Sequence, residues 1–178
     1  MSKTSLLLFN VGGFQTIWWL GVLYHNQFVA ISLSIIAIHF LLSSQKLKDA
    51  KLMAIVAITG MVIDSLLTLS GVFIFNVTPY WLGLLWMMFA LSLPYSLAFL
   101  TRIPVGYQAL AGGVSGAMSY LAGAKLLAVD LGYGFVTSTI LLVVIWSLLL
   151  PVLVFITIHL MPHLRGHHAK MAFEQGNS

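Results

Sequence analysis

The chain contains no cysteine, which removes disulfides, thiolate metal ligands and cysteine nucleophiles from consideration. Charge is almost as scarce. Only 7% of the 178 residues are charged, and four of them are acidic. A soluble domain carries about 25% charged residues, so this chain cannot cover a water-facing surface. The remainder is 60% hydrophobic and 12% aromatic, with a mean hydropathy of +1.03. Lipid is therefore the expected solvent, and the fold class expected is all-α, a polytopic integral membrane protein.

Six apolar segments stand near the ~20 residues that a bilayer requires. They run roughly over 5–24, 27–43, 52–75, 80–100, 107–128 and 134–160, with a tail at 161–178. Pro151 falls inside the sixth, where a kink is expected. The links between segments are too short for a soluble domain, so residues 1–178 read as one membrane domain. Lys3 followed by an apolar run looks like the start of a signal peptide. No A-x-A-like cleavage site follows it, and the run continues to Tyr24, so a retained first helix is expected.

The formal charge is +4, but its placement carries more information than its sum. With the N-terminus in the cytoplasm, Lys3, Lys46, Lys48, Lys51, Arg102, Arg165 and Lys170 all fall inside. These are seven of the eight basic residues. The distribution reads as topology rather than as a nucleic-acid surface, and it predicts a six-transmembrane-helix bundle, N-in and C-in.

Against this background Asp64, in the run G-M-V-I-D-S-L-L-T-L-S-G, is conspicuous. It lies near the middle of the third segment, where a carboxylate costs ~2.5–3.5 kcal/mol on insertion scales. Ala57, Gly60, Asp64, Thr68 and Gly71 follow spacings of three and four, so Asp64 shares a small, polar helix face that points at other helices. Two roles stay open for it: contact with an ion, proton or polar headgroup, or a structural bond inside the bundle. Lys125 either reaches down to it or snorkels outward towards Asp130. Asn10 and Gln15 are the polar candidates on the first helix, each suited to an interhelical hydrogen bond. Trp86 and Trp146 lie deep. They line a pocket for an acyl chain or isoprenoid, or else they pack the core. Gly112 and Gly116 form a GxxxG pair, continued by Ser115, Ser119 and Gly123 as a packing face; Gly60 and Gly71 serve the third segment in the same way.

Two motifs read as decoys. G-V-S-G at 113–116 has the G-x-S-G shape of rhomboid intramembrane proteases, with Ser115 as nucleophile. The sixth segment has no membrane-embedded histidine motif to serve as its base, since His159 lies at its end. H-L-R-G-H-H at 163–168 has the shape of a desaturase histidine box, but six histidines, three of them scattered singly, are too few for a di-iron site. A basic tail near anionic lipid is the expected role. Neither a metal nor a cofactor is expected.

The order of four stretches resembles one family. They are F-N-V-G-G-F-Q-T-I-W-W-L-G-V-L, D-S-L-L-T-L-S-G-V-F-I-F, P-Y-W-L-G-L-L-W-M-M-F-A and L-A-G-G-V-S-G-A-M-S-Y-L-A-G-A-K. The chain is similar over roughly 8–155 to a bacterial inner-membrane family catalogued as domain of unknown function 2878. Asp64, the run from Pro79 to Ala90, and Gly116, Tyr120 and Gly123 belong to the shared pattern. The family carries Gly-Pro where this chain has Gly116–Ala117. The resemblance implies six helices in a bacterial inner (cytoplasmic) membrane and supplies no activity. It also implies lipid-modifying enzymes, such as cyclopropane fatty acid synthase homologues, as partners. Three functions follow from the residues and the resemblance together: a membrane-lipid binding or accessory role in fatty-acid metabolism, a small transporter or proton-coupled carrier using Asp64, and an intramembrane enzyme. The last lacks a complete catalytic constellation.

Overall fold

The computed structural model describes residues 3–164. It holds six α-helices: α1 (Lys3–Tyr24), α2 (Val29–Leu42), α3 (Lys46–Leu69), α4 (Tyr80–Ser92), α5 (Val105–Lys125) and α6 (Gly134–Leu160). Two short strands, β1 (Phe73–Ile74) and β2 (Asp130–Leu131), follow α3 and α5 and pair antiparallel, Phe73 with Leu131 and Ile74 with Asp130. Three helical stretches, Thr4–Tyr24, Lys46–Leu69 and Gly134–Leu160, are long and apolar enough to cross a membrane. Val29–Leu42 and Tyr80–Ser92 are apolar but shorter.

Several boundaries differ from the expected ones for physical reasons. The segment expected at 52–75 begins at Lys46, because Lys, Leu and Ala are good helix formers whether or not lipid surrounds them. Asp49 sits in the first turn of α3, at the end of the helix dipole that favours negative charge. The helix stops at Leu69, before Gly71, whose φ of +78° is a left-handed conformation that glycine adopts without penalty. The segment expected at 80–100 ends as a regular helix at Ser92, just ahead of Pro94, and the chain continues through a turn and a 3₁₀ helix over Ala98–Arg102. The segment expected at 107–128 runs instead from Val105 to Lys125, with Pro104 capping its start. Only α6 keeps its expected limits, and it stays helical through Pro151.

Packing is antiparallel between α1 and α4, α3 and α4, and α5 and α6. Small residues set the closest approaches. A Cβ on Gly112 would fall 2.4 Å from the Trp146 carbonyl oxygen, and one on Gly113 would fall 2.4 Å from Ser147 Oγ. The α5–α6 seam therefore needs Gly112, which faces backbone, more than Gly113, which faces a side chain that can turn aside. On α1, a Cβ on Gly21 would fall 2.3 Å from the Trp81 ring, and one on Gly13 2.9 Å from Ile35. Asn26, between α1 and α2, accepts from the Trp81 backbone N–H and donates to the Thr78 carbonyl. It caps α4 from outside, so the start of α4 is fixed by a residue on another element.

Close packing does not hold at Gly71 and Gly123. No atom lies within 4 Å of where a Cβ would stand on either of them. Gly71 is needed for its backbone conformation, and Gly123 borders open space.

Candidate functional site

The side chain of Asp64 is 3% exposed and both its oxygens are engaged. Trp86 Nε1 donates to Oδ2 at 2.6 Å, and the Tyr120 hydroxyl donates to Oδ1 at 2.6 Å. One donor comes from α4 and the other from α5, so the carboxyl group of α3 joins three helices at one point. The aromatic rings around it are stacked. Trp86 lies parallel to Trp146, and Tyr120 lies parallel to Phe73 at a centroid separation of 5.0 Å. Phe89 meets Trp86 and Trp146 edge-on, at 5.7 and 5.8 Å. Glycines make room for the two indoles: a Cβ on Gly60 would fall 2.1 Å from Trp86, and one on Gly116 would fall 2.1 Å from Trp146.

Beside this cluster is a cavity of about 590 Å³ between α1, α4 and α5. Trp86, Tyr120, Gly116 and Trp146 form part of its wall, whereas Asp64 does not line it. The carboxyl group stands behind the rings that bind it. Among the described residues that line the cavity none is charged; its polar members are chiefly serines and Gln15. Ser92 and Ser115 turn their hydroxyls back to their own helices, onto the carbonyls of Met88 and Ala111. Ser119 accepts from Trp18 Nε1 at 2.9 Å, a hydrogen bond that joins α5 to α1.

A second polar network lies at the other end of the bundle. Asp49 Oδ2 accepts from the Ser43 hydroxyl, from the Tyr95 hydroxyl at 2.8 Å, and from His39 Nε2 at 3.3 Å. Asn10 Nδ2 in turn donates to His39 Nδ1 at 3.0 Å. Asn10, His39 and Asp49 are each 0% exposed, so the network ties α1, α2 and α3 together through polar groups that cannot turn to solvent.

The six residues singled out from sequence thus fall into separate places. Asp64, Trp86 and Tyr120 meet. Asn10 belongs to the His39 network, and Gln15 is exposed on α1 at the rim of the cavity. Lys125 does not reach Asp64; it is exposed, with Nζ 5.8 Å from the centre of the Phe135 ring. A long flexible cation at the end of a helix finds an aromatic face near the surface more cheaply than a buried carboxyl group. His39, Asp49, Ser43 and Tyr95 escaped sequence reasoning. In the sequence His39 is one of the singly scattered histidines, and Asp49 is one charge within the lysine-rich stretch 46–51. The signal was present: an apolar helix does not leave a histidine unpaired in its core. Ser115, the serine of G-V-S-G, is exposed and donates to the Ala111 carbonyl of its own helix. Most of H-L-R-G-H-H lies outside the described residues. Among the described residues no three His, Asp or Glu side chains gather as a metal site.

An all-helical bundle with three helices fit to span a bilayer, built around a buried carboxyl group and an apolar cavity, defines the class: a multi-helix membrane-type protein. The chain belongs to the family described as Protein of unknown function (DUF2878), which matches residues 7–152. No curated protein and no solved structure matches it.

Proposed function

We propose that this protein sits in a bacterial cytoplasmic membrane and binds an apolar, lipid-derived molecule in the cavity between α1, α4 and α5, as an accessory to lipid-modifying enzymes of that membrane. One observation carries the reading. The cavity has about 590 Å³, within the ~300–1,000 Å³ range of ligand sites, and its lining is aromatic and aliphatic with no charged side chain among the described residues. A water-soluble substrate would find few partners there. A proton-coupled carrier has no comparable support, because both Asp64 oxygens already accept hydrogen bonds and the residue stands outside the cavity lining.

The reading includes six membrane segments, N-in and C-in, supported by the Lys and Arg distribution. A reporter fused at residue 78 should face away from the cytoplasm; a cytoplasmic signal would overturn that topology.

Gly123 offers a direct test of binding. It lines the cavity and has open space where a side chain would grow. Gly123→Phe should fill the cavity while the helices keep their packing. Purified wild type should then carry tightly held lipid, measured by mass spectrometry of the extracted protein, and the variant should lose most of it. Equal lipid content in the two folded proteins would overturn the reading.

A further inference from the structure

The cavity is elongated. One end is bounded by Val22, Phe75 and Trp81, the other by Ser96, Leu97 and Leu100. Along α4, Trp81 and Ser92 both line it, about 16 Å apart at 1.5 Å per residue. Along α5, Ala111 and Gly123 both line it, about 18 Å apart by the same measure. The hydrocarbon core of a bilayer is about 30 Å thick, so the chains of one leaflet reach about 15 Å. The cavity is therefore about as deep as one membrane acyl chain is long.

Its side wall is exposed between α1 and α5. Val11 and Gln15 on α1, and Val114 and Ser115 on α5, line the cavity and are also exposed on the outside of the bundle. Across this seam Trp18 reaches to Ser119. A molecule dissolved in lipid can approach here past only two polar side chains, Gln15 and Ser115, neither of them charged.

The Trp81 end holds an unpaired donor. The Trp81 ring is 6% exposed, and its Nε1–H has no hydrogen-bond partner among the described residues. Cε3 and Cζ3, the ring edge remote from Nε1, face Gly21 of α1. The edge bearing the N–H is thus the one turned away from that glycine. As the rings stand the atom is covered by protein; a small turn of the indole would uncover it to a carbonyl oxygen, which the methyl end of a lipid does not offer.

We infer that the cavity takes a single acyl chain, entering sideways between α1 and α5, with its carbonyl end at Trp81 and its methyl end at Leu97 and Leu100. The inference rests on the lipid-binding reading above and adds the ligand's class, register and route. A charged headgroup remains outside, beyond the Trp81 end, because no charged residue lines the interior to receive it. A free fatty acid and a chain of a phospholipid share this chemistry.

Photoreactive chains test the register. A saturated fatty acid bearing a diazirine near its carboxyl group, a second bearing it near the methyl end, and phosphatidylglycerol carrying each labelled chain would be added to the purified protein. Labelled peptides would then be mapped by mass spectrometry. Carboxyl-end labels should fall near Val22 and Trp81, and methyl-end labels near Leu97 and Leu100. Gly123→Phe should reduce both at least tenfold. Labelling by the free acid, the phospholipid or both, in this register, supports the inference and identifies the source. Reversed labels, or labels scattered over the outer helix faces, overturn it even if lipid co-purifies with the protein. Absence of labelling also overturns it. If Gly123→Phe in addition leaves co-purified lipid unchanged, the lipid-binding reading falls with it.

Discussion

The indoles of Trp86 on α4 and Trp146 on α6 lie parallel, with 2° between their planes and 5.4 Å between their centroids. Gly60 of α3 lies against the first and Gly116 of α5 against the second. Four helices therefore contribute one layer each to a single stack, and the two glycines leave the space that the indoles occupy.

Side chains at those glycines should be costly. Gly60→Val and Gly116→Val would each push a branched side chain into an indole held from behind by the other. Overpacking of this kind costs ~1–3 kcal/mol, occasionally more. Thermal unfolding in detergent should show clear losses for both variants. Gly123→Ala should move the midpoint little or upward, since alanine in an open helical position gains up to ~1 kcal/mol over glycine.

Removing either donor to Asp64 should destabilise the bundle. Tyr120→Phe leaves Oδ1 without its partner, and Trp86→Phe does the same to Oδ2. A hydrogen bond to a charged group contributes ~1.5–3 kcal/mol. Asp64→Asn should cost a similar amount, because its amide NH₂ must face one of two donors. In a double-mutant cycle, Asp64→Asn with Tyr120→Phe should show a coupling of at least ~0.5 kcal/mol. Lys125→Met should show none with Asp64→Asn, as Lys125 packs on Phe135.

The network around Asp49 should be the more sensitive of the two buried acids. Asp49→Ala strips His39, Ser43 and Tyr95 of a shared acceptor. Each buried donor left without its acceptor costs ~1–3 kcal/mol, so losing the acceptor of three donors should outweigh the loss of one donor to Asp64. Expression level and unfolding midpoint should both fall. Lys46→Ala and Lys48→Ala, exposed on the same turn of α3, should stay within ~0.5 kcal/mol of wild type. Equal effects for Asp49 and its lysine neighbours would mean the network contributes little.

The Trp18–Ser119 hydrogen bond should govern exchange more than affinity. Ser119→Ala and Trp18→Phe remove the link between α1 and α5 at a cost of ~1 kcal/mol to stability. A bound spin-labelled fatty acid should leave these variants several-fold faster than wild type, followed by its electron spin resonance line shape after dilution. Unchanged release would place the route elsewhere.

Much of the helical framework was legible in the sequence because hydrophobicity reports it directly. The sixth segment was read to its ends, since between Gly134 and Leu160 the residues are apolar apart from a few small polar ones and His159 in the last turn. The third was misplaced because the lysines from 46 to 51 mask a helix that propensity alone would have started there. Asp64 could be read as inward-facing from the spacing of its small neighbours. Its partners could not, because Trp86 and Tyr120 lie 22 and 56 residues away, and only the antiparallel packing of α3 with α4 brings the first of them into reach. The cavity was the least legible feature. A void is defined by how helices fail to touch, and no single residue encodes it.

The β1–β2 ribbon connects the link after α3 to the link after α5, reinforced by Gly132 N–H to the Val72 carbonyl and by the Tyr133 hydroxyl to the Ser70 carbonyl. A Cβ on Gly132 would fall 2.1 Å from the Gly71 carbonyl oxygen, so the two links touch backbone to backbone. In a chain without cysteine this is a non-covalent clasp, placed where an oxidised protein would put a crosslink. It fixes one end of the bundle across a long span of sequence. Breathing of the helices that admits a ligand then falls to α1 and α2, which the clasp does not hold.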